Sequence, residues 1–265
     1  MPRTDSPPTA RSLASTPARA SAGVAPVAPS DAPPEAFGRG ESVGRAYDQL
    51  RGLIVRGLLA PGSRIIESEI SERLGVSRTP VRSALHRLQQ EGYVAALERG
   101  RERRLIVAPL THDDARELFH IVGQLEALAA RAAAERPPAA REALVAELRR
   151  LNAGLAALAR AARPEPLRVF DLDMAFHRSY VAAGAGPRLL ALHDAIKPQA
   201  ERYIRLYTNS LTDAVRTSVD EHATIVAALA AGSPEEAQGA VETNWRNAAA
   251  RLGRVIATLG ERGSW

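Results

Sequence analysis

A chain of 265 residues, 45% hydrophobic and 25% charged, has room for two globular domains, and its lack of cysteine excludes disulfides, thiol nucleophiles and cysteine metal sites and suits a reducing cytoplasm. The formal charge of +5 is uneven: residues 1–40 hold 4 Arg against 3 acids, residues 41–110 hold 12 Arg against 8 acids, and residues 111–265 balance 19 basic with 19 acidic groups. No apolar run reaches the roughly 18 residues of a membrane span and the N-terminus lacks the apolar core of a secretory signal, so a cytoplasmic protein with no membrane partner is expected.

Residues 1–40 are rich in Pro, Ala and Ser without an apolar period, and read as a disordered tail. From Val43 to Val55 the residues Ala46, Leu50, Leu53 and Ile54 recur at helical spacing, after which Pro61-Gly62 breaks the chain into a turn. Glu67 to Leu74 reads as a short helix ended by Gly75. Ser77 caps a second helix, with Pro80 in its first turn, that runs to Gln90 and stops at Gly92. Two strand-like runs follow, Tyr93 to Leu97 and Arg104 to Ala108, with Glu98-Arg99-Gly100-Arg101-Glu102-Arg103 as a basic hairpin tip. Residues 41–109 therefore read as a winged helix-turn-helix for DNA, and they carry the basic excess that phosphate binding requires.

The second helix is the reading head. A helix fits the major groove, and side chains at its N-terminus reach base edges. Arg78 suits a bidentate pair with guanine, Ser77 and Thr79 can donate to phosphate or base, and Arg82 lies one turn on along the same face. Arg99 and Gly100 at the wing tip would approach the backbone or the minor groove. Val76, Val81, Leu85 and Leu88 read as core. The run Pro61-Gly62, Glu69-Ile70-Ser71, Leu74 to Arg82, Ala84-Leu85, Leu88 and Glu91-Gly92 resembles the GntR family of bacterial transcription regulators. That resemblance covers about residues 44–109 and implies a homodimer on a short inverted repeat, with Ser77, Arg78, Thr79, Arg82 and Gly100 touching the double-stranded operator. Ser68 stands where members of the fatty-acid-responsive branch use an arginine, which implies a different operator.

From Thr111 the pattern is helical, in six segments: 112–135, 138–161, 165–184, 186–208, 213–231 and 233–259. Apolar residues such as Leu118, Ile121, Leu125 and Leu128 recur at three and four, so residues 111–260 read as a compact antiparallel bundle. Asp173 and His177 lie at i and i+4 and share a helix face, so both can hold one ion. His222 and Asn244 follow in two later segments. A carboxylate and imidazoles facing into a bundle suit a divalent metal such as Zn, Ni or Mn. Spacing alone leaves open a helix-stabilising Asp173–His177 pair and a surface His222.

The pair Asp173–His177 and the run Glu221-His222-Ala223-Thr224-Ile225 resemble the FCD ligand-binding domain of FadR-type GntR regulators. The resemblance implies a metal site completed by a further histidine, which Asn244 replaces here. Its amide oxygen is a weaker ligand for most transition metals, so a weaker, different or lost metal are the open alternatives. Val122 stands where many such domains carry an arginine one turn before Glu126, which puts a simple organic acid in doubt as the effector. Glu126, Arg202 and Tyr203 are the candidate effector-pocket residues; Arg202 and Arg205 would replace the missing arginine if they point inward, and face solvent otherwise.

The expected fold is mainly α, a winged helix-turn-helix followed by an all-α antiparallel bundle. The expected function is a DNA-binding regulator, a repressor rather than an activator, controlled by a small metabolite with metal assistance. No H-E-x-x-H, G-x-S-x-G or P-loop occurs, so no catalytic residues are assigned. The rivals are a constitutive DNA-binding dimer with a non-sensing bundle and, more remotely, an all-α metal-dependent hydrolase built on His177, His193-Asp194 and Asp213 or Asp220.

Overall fold

The computed structural model describes residues 39–99, 102–161, 165–211 and 214–263. The expected tail up to residue 38 and the wing-tip Gly100 lie outside the described residues. The first helix, α1 (Arg39–Val55), starts ahead of the expected Val43. It buries Ala46, Tyr47, Leu50 and Ile54 against α3 (Arg78–Gln90). Between them α2 (Glu67–Leu74) ends at Gly75, whose φ of 64° is the left-handed conformation that lets the chain turn sharply into α3. Val81, Ala84, Leu85, Leu88, Tyr93 and Val107 close this small core, and Val76 packs partly against it.

The wing is longer than its sequence suggests. β2 (Val94–Arg99) pairs antiparallel with β3 (Glu102–Val107), in register from Val94↔Val107 to Arg99↔Glu102. The pairing puts Arg99 on the strand rather than in a broad basic tip. A further strand, β1 (Arg64–Ile65), joins the outer side of β3. Two residues carry no readable period, so sequence analysis missed it.

The bundle comprises α4 (His112–Ala134), α5 (Pro138–Arg160), α6 (Pro166–Gly184), α7 (Pro187–Leu211), α8 (Val215–Ala231) and α9 (Pro234–Leu259). Thr111 caps α4 by accepting from the Asp114 amide, and prolines open α5, α6 and α9, where no helical donor is lost. α4 is the central helix, and small residues let its neighbours come close. A Cβ on Gly123 would stand 2.7 Å from Trp245 Cβ, and one on Gly184 would stand 1.9 Å from the Ala129 carbonyl oxygen. The inward stripe is accordingly Ala115, Leu118, Phe119, Val122, Ala129 and Ala133. Ile121 and Leu128, expected on that stripe, point outward with 38% and 49% exposure.

Head and bundle meet along α1 and α7. Arg51 donates to the Asp194 carbonyl (2.9 Å), Gln199 to the Glu91 carbonyl (2.8 Å) and Arg202 to the Ala108 carbonyl (2.8 Å). The segment after α9 pairs back with the wing-to-bundle linker through an antiparallel bridge, Leu110↔Arg262. Among the described residues no helix is long and apolar enough to cross a membrane.

Candidate functional site

Ser77, Arg78, Thr79 and Arg82 all lie exposed at the start of α3, on the side opposite its buried Val81, Leu85 and Leu88. Ser77 holds the N-cap position, but its hydroxyl makes no capping bond. The first turn of α3 contains no acid of its own, so the positive end of its dipole favours an anion there. Arg82 is not simply free: its guanidinium grips the Glu67 carboxylate of α2, with NH2 to Oε2 at 2.8 Å and Nε to both oxygens at 3.2 Å. Sequence analysis missed this pair, which bridges the two helices of the motif.

In the bundle, α6 supplies Asp173 and His177, and α8 supplies His222. One ligand atom from each lies within 4.8 Å of the others. His222 is fully buried and stacks on the Phe176 ring, with centroids 3.9 Å apart and planes inclined by 5°. Its Nε2 is 3.6 Å from Asp173 Oδ1, and neither ring nitrogen has a hydrogen-bond partner. Burial, reinforced by the His177 imidazole, pushes its pKa well below the ordinary value, so the ring stays neutral. Asn244 on α9 donates through Nδ2 to Glu221 (2.8 Å), while its Oδ1 is buried without a partner. Buried polar atoms are ordinarily paired. An unpaired neutral imidazole and an unpaired amide oxygen, with Asp173 and His177 alongside, are a donor set that fits a divalent cation.

Glu126 lies beneath this set, on α4. It is completely buried and takes hydrogen bonds from five donors. His177 Nδ1 (2.7 Å), the Tyr180 hydroxyl and Trp245 Nε1 (2.9 Å) reach Oε2. His193 Nε2 (3.1 Å) and Lys197 Nζ (2.7 Å) reach Oε1. Burial alone would push the carboxyl pKa up; the Lys197 ammonium and the His177 imidazole outweigh it and hold Glu126 well below the usual carboxylate range. With its Nδ1 bound to this carboxylate, His177 keeps Nε2 for an ion, the arrangement by which an outer carboxylate fixes a metal-binding imidazole.

The three candidate effector-pocket residues do not converge. Glu126 belongs to the hub under His177. Tyr203 instead accepts from the Thr111 amide (3.0 Å) and donates to Asp114 (2.5 Å), and Arg202 is buried beneath the wing. Both sit in the seam between head and bundle, because their side of α7 faces the linker, so neither solvent nor the bundle interior receives Arg202.

A different arginine reaches the site. Arg251 of α9 lines a small cavity of about 90 Å³ with Asp173, Phe119, Phe170, Ile204 and Thr208. Glu221 holds it through NH1 (2.8 Å) and NH2 (3.0 Å) and also accepts from Asn247 (2.9 Å). Burial would raise the Glu221 pKa, yet Arg251 and the two asparagines keep it lowered. The signal in the sequence was Asn244, Asn247 and Arg251 at i, i+3 and i+7 on one helix face. Lys197 carried a signal too, as the sole lysine. His193, of the His193-Asp194 pair in the hydrolase alternative, is held by Glu126 through Nε2 (3.1 Å), and Asp194 is paired with Arg178; Asp213 of that alternative lies outside the described residues.

Residues 43–101 match the model for bacterial regulatory proteins of the gntR family, and residues 117–247 match that for the FCD domain. An HTH-type transcriptional regulator of Agrobacterium vitis, from the TAR-I ttuE-ttuC' intergenic region, is 34% identical over 144 residues, covering 54% of this chain and 81% of that protein. A probable D-xylose utilization operon transcriptional repressor of Paenarthrobacter nicotinovorans is 29% identical over 189 residues, 71% of this chain and 78% of the other. Among solved structures, McbR/YncC of E. coli shares the fold with a TM-score of 0.61 at 20% identity, over 80% of this chain and 97% of that one.

Proposed function

This chain belongs to the GntR family of bacterial regulatory proteins and carries an FCD domain, and from that premise we propose a repressor that reads its operator through α3 and is switched by a small metabolite beside a divalent metal. Its family is one of DNA-binding transcriptional regulators, not enzymes. In this reading Arg78 pairs with a base, Ser77 and Thr79 hold phosphate or base, Arg82 exchanges its Glu67 partner for operator phosphate, and Arg99 and Gly100 approach the backbone from the wing. A homodimer sets two heads about one helical turn apart on an inverted repeat. The outward Ile121 and Leu128 of α4 support a self-associating bundle. The relative from P. nicotinovorans, described as a repressor, supports repression over activation.

The single observation that carries metabolite control is the pair of unpartnered buried groups, His222 and Asn244 Oδ1, next to Asp173 and His177. Those four residues would hold the ion, which when bound supplies a Lewis-acid anchor for an oxygen ligand. Glu126 holds the His177 ring in place, and Glu221 fixes the Asn244 amide. Phe119, Phe170 and Ile204 make an apolar berth next to Asp173, and Arg251 offers a carboxylate partner despite the valine at 122. A small organic acid fits that chemistry. An effector acts by preferring one arrangement of the bundle, and thus one spacing of the heads.

The test is metal content by mass spectrometry on the purified protein and on His222→Ala, with gel shifts on a selected operator. Stoichiometric metal lost in His222→Ala, and DNA release by an organic acid that a chelator abolishes, are expected. An equal metal content in both proteins would falsify the site.

A further inference from the structure

A second pocket lies in the seam between the DNA-binding head and the bundle, away from the proposed metal. Its walls come from the end of α1 and the following turn (Ile54, Arg56, Pro61) and from α7 (Arg202, Arg205, Leu206), and it encloses about 180 Å³. Three arginines line it and, among the described residues, no carboxylate does. Arg202 is 95% buried, since only 5% of it is exposed. Its guanidinium donates to the Ala108 carbonyl, and among the described residues no acid stands within ion-pair distance of it. Asp114, the acid it senses, is already engaged by the Tyr203 hydroxyl. Arg205 lies over the Phe170 ring at 4.4 Å, and its Nε is buried with no partner. Gly52 leaves space for the third guanidinium, because a Cβ there would stand 2.9 Å from Arg56 NH1.

Buried charge without a counter-charge is costly, and guanidinium N–H groups are seldom left unpaired. Planar guanidinium forks match oxyanions bidentately. Apolar walls from Ile54, Pro61, Leu110 and Leu206 suit a ligand with a short hydrocarbon body. We propose that this seam pocket is an anion site, taking a small oxyanion, a carboxylate or a phosphate, between Arg56, Arg202 and Arg205. The occupant spans the two halves: Arg56 belongs to the head, and Arg202 and Arg205 to the bundle. It therefore ties the orientation of the reading head to α7 independently of the metal site. Arg205 also joins the two cavities, for the Phe170 ring it covers lines the cavity beside Asp173.

The experiment is thermal shift and titration calorimetry on the full chain after chelator treatment, with inorganic phosphate and isobutyrate as probes and sodium chloride at matched ionic strength as control. Binding only to the native state raises the melting temperature with ligand concentration. At least one oxyanion is expected to stabilise the chain well beyond chloride. Arg205→Gln and the surface variant Arg56→Gln should each weaken its affinity about tenfold. Phosphate alone acting would name a phosphoryl ligand, and isobutyrate alone an organic acid; either supports the site. A chloride shift equal to both probes, or unchanged affinity in both variants, would overturn it. So would an anion effect present only before chelation, which would return the anion to the metal centre.

Discussion

The two polar surfaces of this molecule are built in opposite ways. On α3, Ser77, Arg78 and Thr79 stand in water, and local rules place them: a left-handed glycine turn, a cap and a helix start. In the bundle, Glu126 is sealed from water and supported by groups from three other helices. Exposed groups keep their hydration until a partner arrives, so they are cheap to hold ready. Buried ones must satisfy each other within the fold, so each is bound to the stability of the whole domain. The exposed face can thus vary with little effect on folding, and the buried hub cannot.

Glu126→Leu tests that contrast most severely. It strands Lys197 and His177 in the interior, and should cost about 3–5 kcal/mol in urea denaturation. Pairing it with Lys197→Met should restore part of the loss. On the head, Arg78→Ala should remove about 1–3 kcal/mol of base discrimination on selected operators, with an unchanged urea midpoint. A shifted midpoint there would erase the distinction between the surfaces.

A pH series separates the regions further. The His222 pKa is depressed in the fold from an ordinary 6.5, so below that value the unfolded chain takes up a proton the native core refuses. Chelator-treated protein should therefore lose up to about 1.4 kcal/mol per pH unit as the pH falls below 6.5, and His222→Gln should flatten the slope by one proton. Glu221 acts in a lower window. Its carboxyl is also depressed, so its contribution is present above the ordinary 4.5 and is lost as the pH falls through the folded value. An identical slope in wild type and His222→Gln between pH 6.5 and 5 would remove His222 from this account. The smallest effect belongs to Glu67→Ala, which releases Arg82. The salt dependence of DNA binding should steepen by about one phosphate contact, with no change in melting; an unaltered slope would take Arg82 off the phosphate backbone.

The legible parts of the sequence were those set by neighbours along the chain. The bounds of α2 and the start of α3 follow from Gly75, Ser77 and Pro80, and prolines mark most of the bundle breaks. α7 runs to Leu211, past the break expected at Asn209-Ser210, and Leu211 at its end packs partly against the bundle core, a long-range contact that the local sequence does not announce. The pattern on α4 misled for a related reason. Large residues recur at helical spacing on its outward side, whereas Gly123 and the alanines permit the close approaches within. The Glu126 hub left no local trace, since its donors stand 51 to 119 residues away along the chain. Arg202 was singled out for its charge, but charge alone does not say which side of α7 meets the wing.

α9 runs unbroken from Pro234 to Leu259. Toward its middle it presents Asn244 and Arg251 to Glu221 and Trp245 to Glu126. Beyond its far end, Arg262 exchanges backbone hydrogen bonds with Leu110 (2.8 and 3.1 Å), and Glu261 accepts from the His112 amide (2.9 Å). From Asn244 to Leu259 an α-helix rises about 22 Å, so a tilt of about 5° at the Asn244 end would swing the other end by about 2 Å. The stub at that end is fastened to the short linker from which the wing hangs. A tilt of α9 within the bundle would thus be carried, as by a lever, to the linker that joins the DNA-binding head.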